Sequence, residues 1–270
     1  APPFFADLNL DQVVDAITAR KQEYDLKPFF FTPLHDVDTI RYRHEVMRDL
    51  EDTALLESIR SFAEKMTVVR RYLALVEKLD YRNHREGWIL EAAGVYCEAV
   101  AGLARDLDRA HLRSRAFLAF HRYVTSYASS HGFVSLAADA ERLKADLSAL
   151  EYCVTIKGLT VRVRKYEGEA DYSAEVESAF EKFKQGAVKD YRTALHAASG
   201  MSHVEAGILD CVAKLYPDIF ARLHEFHARH GHFLDETIRT FDREIQFYVA
   251  YLEFIAKFRR AGLQFCYPQI

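Results

Sequence analysis

Glycine and proline are scarce, 11 and 6 in 270 residues, and that removes most of the turn chemistry that all-β sandwiches and barrels need every few positions. No glycine is followed by lysine and no Gly-x-Gly pair occurs, so neither a phosphate-cradling P-loop nor a dinucleotide fingerprint can form. The four cysteines, Cys97, Cys153, Cys211 and Cys266, are far apart with no C-x-x-C pair, which argues against a structural zinc site and against a small disulfide scaffold. A reducing, cytoplasmic setting follows as the expectation. The N-terminus, Ala-Pro-Pro-Phe-Phe, lacks the basic and apolar regions of a signal peptide, and no run of uncharged apolar residues of spanning length is expected, so no membrane partner is expected either. Nor is there charge of one dominant sign: 36 basic against 40 acidic residues give a net charge of -4, and any attraction for nucleic acid must come from local patches.

What remains is abundant helical periodicity in a chain that is half hydrophobic and 28% charged, the profile of a globular protein. Leu10, Val13, Val14 and Ile17 follow one helix face, with Asn9 placed to cap it. Residues 24–33 carry two of the prolines around Phe29-Phe30-Phe31 and show no period, which predicts an extended strap. Asp36 caps a helix to about Glu51. Longer amphipathic stretches run from about Thr53 to Leu79, Arg85 to Ala110, Ser173 to Ala198 and Phe233 to Ala261, with shorter helices at about Ser114–Ser129, Ser135–Leu150 and on either side of Pro217. The period breaks once. Residues 151–166 are rich in Val, Ile, Thr and Tyr and flank Lys157-Gly158, the signature of a β-hairpin. The expected fold is all-α, a long-helix bundle or lever with one small β-hairpin insertion. It divides into N-terminal core and outgoing helices (1–150), a hairpin tip (151–170) and returning helices (171–270). The apolar ending, Phe265-Cys266-Tyr267-Pro268-Gln269-Ile270, reads as a strap leading into a further domain.

Few constellations point to chemistry. His224, His227, His230 and His232 cluster, but only the first two share a helix face and no third ligand stands at the right spacing, so no metal is expected. Glu167/Glu169 and Glu175/Glu177 sit in a polar run beside Lys182 and Lys184 and read as a solvated face. No G-x-S-x-G elbow strains a serine into the open. No catalytic residue is therefore assigned, and the chain is expected not to be an enzyme and neither to bind nor to hydrolyse ATP. The hairpin is different. Lys157, Arg162, Arg164 and Lys165 lie within nine residues, and strand alternation puts Arg162 and Arg164 on one face, where two guanidiniums can straddle phosphates. The competing reading is that edge strands carry charge to discourage aggregation. Arg105, Arg109, Arg113, Arg115 and Arg122 read as a solvated helix face, and Phe241–Tyr248, dense in charge and aromatics, as core on one side and ion-paired on the other.

Pro33, Leu34, Asp36, Ile40, Arg43, Met47 and Leu50, within PLHDVDTIRYRHEVMRDL, form a pattern that resembles the opening of the helical core domain in the MutS family of DNA mismatch-repair ATPases. Met47 stands where that pattern more often has valine. Phe180-Glu181-Lys182-Phe183, FDREIQFYVAYLE and GLQFCYPQ extend the resemblance over nearly the whole chain, towards short MutS-like proteins that lack the mismatch-recognition domain. Phe62-Ala63-Glu64 matches the family's mismatch-reading tripeptide only in letters, because Phe62 and Ala63 lie on an amphipathic helix face. The resemblance implies a core, lever and reduced clamp region that couples a C-terminal ATPase domain to DNA-backbone contact, with ATP and magnesium bound by that domain and no cofactor in this chain. Implied partners are DNA (weakly and without sequence preference), the chain's own C-terminal ATPase domain, and a second copy in a homodimer. The alternative is a helical scaffolding domain that binds a protein and never meets nucleic acid. A weaker third reading is a small-molecule or metal enzyme built in the bundle.

Overall fold

A computed structural model describes residues 2–158, 160–168 and 202–269. Among them the chain is all-α apart from one two-stranded antiparallel sheet, as the sequence predicts. In order, the helices are α1 (Phe4–Asp7), α2 (Leu10–Thr18), a 3₁₀ turn (Gln22–Tyr24), α3 (Lys27–Phe31), α4 (Val37–Asp49), α5 (Thr53–Val76), α6 (Arg82–Arg109), α7 (Arg115–Ala128) and α8 (His131–Ser148). Strands β1 (Tyr152–Lys157) and β2 (Thr160–Lys165) follow, then α9 (His203–Leu215), α10 (Pro217–His230) and α11 (Glu236–Arg260). The helix expected at Ser173–Ala198, with Glu169, Glu175, Glu177 and Phe180–Lys184, lies outside the described residues.

Capping explains several boundaries. Asp36, Ser114, Ser202 and Asp235 each accept a hydrogen bond from the backbone N–H three residues on, at the starts of α4, α7, α9 and α11. At α9 the cap is reciprocal: Glu205 reaches back to the Ser202 N–H at 2.7 Å. Asn9 departs from expectation. Its backbone is left-handed at φ 53°, and its side chain accepts from Gln12 at 3.2 Å instead of from the helix backbone. The expected strap is also corrected, because residues 22–31 fold into the 3₁₀ turn and α3. Pro28 stands in the first turn of α3, where its missing N–H costs nothing, and the segment is too short to show a helical period.

The described residues form two compact units that interleave in sequence. One comprises residues up to 71, 92–138 and from 232 onwards. Its core includes Val46, Leu50, Ile59, Met66, Tyr96, Val100, Leu103, Phe117, Ile238 and Val249, all nearly inaccessible. Phe120 and Phe241 stack at 3.5 Å, and a satellite cluster of Ile17, Tyr24, Leu26 and Ala250 takes up Phe29, Phe30 and Phe247. The other unit comprises residues 72–91 and 139–231. It buries Leu79, Ile89, Leu143, Val212, Phe220, Leu223 and Phe226, and Tyr72 packs on Trp88 at 4.7 Å. Helix α6 contains an 18-residue window with a mean hydropathy of 1.2, long and apolar enough to cross a membrane by composition alone, and 56% of that window is buried in protein.

Candidate nucleic-acid interface

Gly158 makes the hairpin possible: its φ of +59° is a left-handed conformation that β-branched residues resist, and it directly follows β1. The register pairs Cys153 with Arg164, Thr155 with Arg162 and Lys157 with Thr160, so these six residues share one face of the ribbon. Tyr152, Val154, Ile156, Val161, Val163 and Lys165 share the other. Lys157, Arg162 and Arg164 are all exposed on the first face. Arg164 pairs with Glu167 at 3.5 Å, and both side chains are largely in water (45% and 76% exposed), so the pair holds the guanidinium only weakly. Lys165 is separated from the other three. Its ammonium lies 5.1 Å over the ring of Tyr216, and the Tyr216 hydroxyl donates to the Glu151 carbonyl at the base of β1. Helix α9 packs against β2, so the ribbon is anchored by its base and one strand while the Arg162/Arg164 face stays in solvent.

The motif residues at the start of α4 have other surroundings. Asp36 caps the helix through Thr39, whose hydroxyl and backbone N–H donate to it at 2.6 and 2.8 Å and hold its carboxyl below the usual range. Pro33 is exposed ahead of α4, and Leu50 is buried. Arg43 donates to the Phe29 carbonyl at 3.4 Å and stacks over Phe247. Leu34, Ile40, Arg43 and Met47 line a cleft of about 290 Å³ together with Tyr251, Ile255 and the closing segment 265–268. Two stretches from opposite ends of the chain thus meet in one place.

The remaining constellations resolve as structure. Arg115 is tied by its side chain to Asp38 at 3.0 Å and to Glu45 at 3.1 Å, and its side-chain and backbone hydrogen bonds to Glu45 keep that carboxyl below its ordinary range. His224 is held by a buried carboxylate. Its Nδ1 bonds the carboxylate of Glu86, which Arg82 also holds at 2.9 Å and which is 2% exposed, while His227 lies 3.8 Å away. Among the described residues no group of three His, Cys, Asp or Glu side chains is arranged for a metal. Asp242, within the aromatic and charged stretch of α11, bonds Arg70, which also donates to the Tyr24 hydroxyl and to Thr67. Glu86 and Asp49 escaped the sequence reading. Each is a charged residue within a helical pattern, and each meets a group 64 or more residues away in the chain, Arg113 for Asp49 and His224 for Glu86. Comparison with protein-family models, curated proteins and solved structures gives no match to the chain.

Proposed function

We propose that this chain is the helical core and lever region of a MutS-like DNA-processing ATPase, and that its β-hairpin contacts the DNA backbone through Lys157, Arg162 and Arg164. The observation that carries the reading is the ribbon face itself: three cationic side chains exposed to solvent on one side of a two-stranded sheet. Guanidinium groups at alternate strand positions suit phosphate oxygens, and such contacts position a protein on DNA without reading its sequence. Lys165 is left out of the contact set because Tyr216 engages its ammonium from the other face. The motif on α4 supports the family assignment, with Asp36, Ile40, Arg43, Met47 and Leu50 serving the fold. In this reading the chain performs no catalysis. ATP and magnesium belong to a C-terminal ATPase domain, and DNA and a second copy of the protein are its partners.

Titration of fluorescent duplexes of several sequences tests this. The 270-residue chain is expected to bind all of them with dissociation constants of roughly 10⁻⁴ to 10⁻⁶ M, and Arg162→Ala/Arg164→Ala to weaken every one to a similar degree. A scaffolding domain has its own support in Tyr152, Val154 and Ile156, which expose 44%, 37% and 68% of their surfaces on the opposite face. Unchanged DNA binding in the double variant would favour that second reading.

A further inference from the structure

Two hollows adjoin where α4 meets the closing segment of the chain, and they differ in character. One is the cleft of about 290 Å³, with Leu34, Ile40, Met47, Tyr251, Ile255 and Phe265 in its wall. The other, about 540 Å³, is lined by Arg41, His44, Glu45 and Arg48 of α4 and by residues 267–269. His44, Tyr267 and Pro268 belong to both walls, so an apolar cavity continues into a polar mouth. The apolar wall is open to a ligand: Leu34, Ile40, Met47 and Tyr251 are half-buried, and Phe265 is 40% exposed.

Charge is unevenly spread over this face. The chain carries a net -4, yet the two walls together hold four arginines, Arg41, Arg43, Arg48 and Arg259, against one carboxylate, Glu45. Glu45 is engaged by Arg115, which donates to it from both backbone and side chain. Arg259 pairs with Glu51 at 3.5 Å, and Arg43 donates to the Phe29 carbonyl. Arg41 and Arg48 have no carboxylate within ion-pair distance among the described residues. Both are exposed, and Arg48 stacks over the ring of Tyr267 at 4.6 Å. Arg48 stands near enough to Glu45 to help hold that carboxyl down, but the hydrogen bonds of Glu45 go to Arg115. Two guanidinium groups, two turns apart on one helix, are thus uncommitted beside an accessible apolar cleft.

From this pairing we infer that the face binds a small amphipathic anion, an organic molecule with a hydrocarbon body and an acidic head. The body takes apolar wall out of water, and the head meets Arg41 and Arg48. A neutral apolar ligand leaves the arginines unused, and an organic cation meets positive charge. A nucleotide suits the cleft less well, because the polar edges of its base would lie without partners against Leu34, Ile40 and Met47. The site includes no hairpin residue and does not depend on the DNA reading.

Met47 supplies the reporter, since it lines the cleft while Met66 is 2% exposed in the core. In the 270-residue chain labelled with ¹³C-methyl methionine, sodium octanoate below its micelle concentration is expected to displace the Met47 signal saturably and to leave Met66 in place. Its dissociation constant should be on the order of 10⁻⁴ M. At matched ionic strength acetate, which lacks the body, should bind about a hundredfold more weakly, and octylammonium, which reverses the charge, about tenfold more weakly. Arg41→Met/Arg48→Met should weaken octanoate about tenfold and leave octylammonium no weaker than before. Four results would each overturn the inference: no response of Met47 to octanoate; acetate or inorganic phosphate binding as tightly as octanoate; octylammonium matching octanoate; or unchanged octanoate binding in the double variant while its spectrum shows it folded. Vesicles of phosphatidylcholine and phosphatidylserine separate a free ligand from a lipid surface. The chain should stay in the supernatant, and co-sedimentation lost in the double variant would assign the face to a membrane instead.

Discussion

Asp49 is a charge used as mortar. It ends α4, is 7% exposed, and accepts from the backbone N–H groups of Arg113 and Ser114 at 3.1 and 2.8 Å, where the chain enters α7. Replacing it by alanine strands two backbone donors, so Asp49→Ala should destabilise the protein by about 3 kcal/mol in urea titrations, whereas a surface carboxylate such as Glu57 should change stability by about 0.5 kcal/mol or less. Asp242 supplies a pH dependence of definite sign. Burial, only partly offset by Arg70, pushes its carboxyl up to about 6, against about 3.9 in an unfolded chain. A raised carboxyl pKa adds stability that is fully present below the unfolded value and is lost as pH rises through the folded one. Relative to Asp242→Asn, the parent chain should therefore lose about 2 kcal/mol between pH 4 and pH 7. A stability difference that is flat over that window would contradict the burial argument. These residues were poorly legible in the sequence for a physical reason. Helical periodicity reveals which positions face a core, but a buried carboxylate looks like any other charged residue until the chain brings a distant donor to it.

At the scale of elements the sequence was far more informative, because local rules act there. Thr53–Val76 and Arg82–Arg109 carry apolar residues at helical spacing for many turns, and the caps at Asp36 and Ser114 announce themselves by residue type. Legibility failed where an element is too short to repeat its period. Helix α3 spans five residues, and its proline reads as a breaker unless it is known to stand in the first turn. The hairpin was legible through Val, Ile and Thr alternation around a glycine, and the register adds what alternation within one strand cannot, namely that Lys157 joins the Arg162/Arg164 face and Lys165 does not. Gly158 tests how much the turn matters. A Cβ there would meet nothing within 4 Å, so any cost is conformational. Gly158→Val should accelerate amide exchange across the β1/β2 ladder about tenfold, following the 1–2 kcal/mol that a left-handed conformation costs, while Gly158→Asn should change it little. Equal exchange in the two variants would mean that the turn does not hold the ribbon.

For the molecule as a whole, net charge and local charge make opposite statements. At -4 the chain repels DNA in the mean, so whatever affinity it has must be concentrated on a face such as that of Lys157, Arg162 and Arg164. The two readings of the hairpin therefore separate by salt. Phosphate contacts release counter-ions, and protein contacts through Tyr152, Val154 and Ile156 scarcely do. Folding should be untouched by changes on the cationic face, since exposed edge charges contribute little stability, and equal urea midpoints for parent and variant would establish that. The measurement that bears most directly on the proposal is the slope of log Kobs against log salt for duplex DNA, compared between the parent chain and Arg162→Ala/Arg164→Ala. Each phosphate contact contributes about 0.9 to that slope, so the double variant should be shallower by up to about 1.8. Identical slopes in two equally folded proteins would contradict a DNA-backbone role for the hairpin.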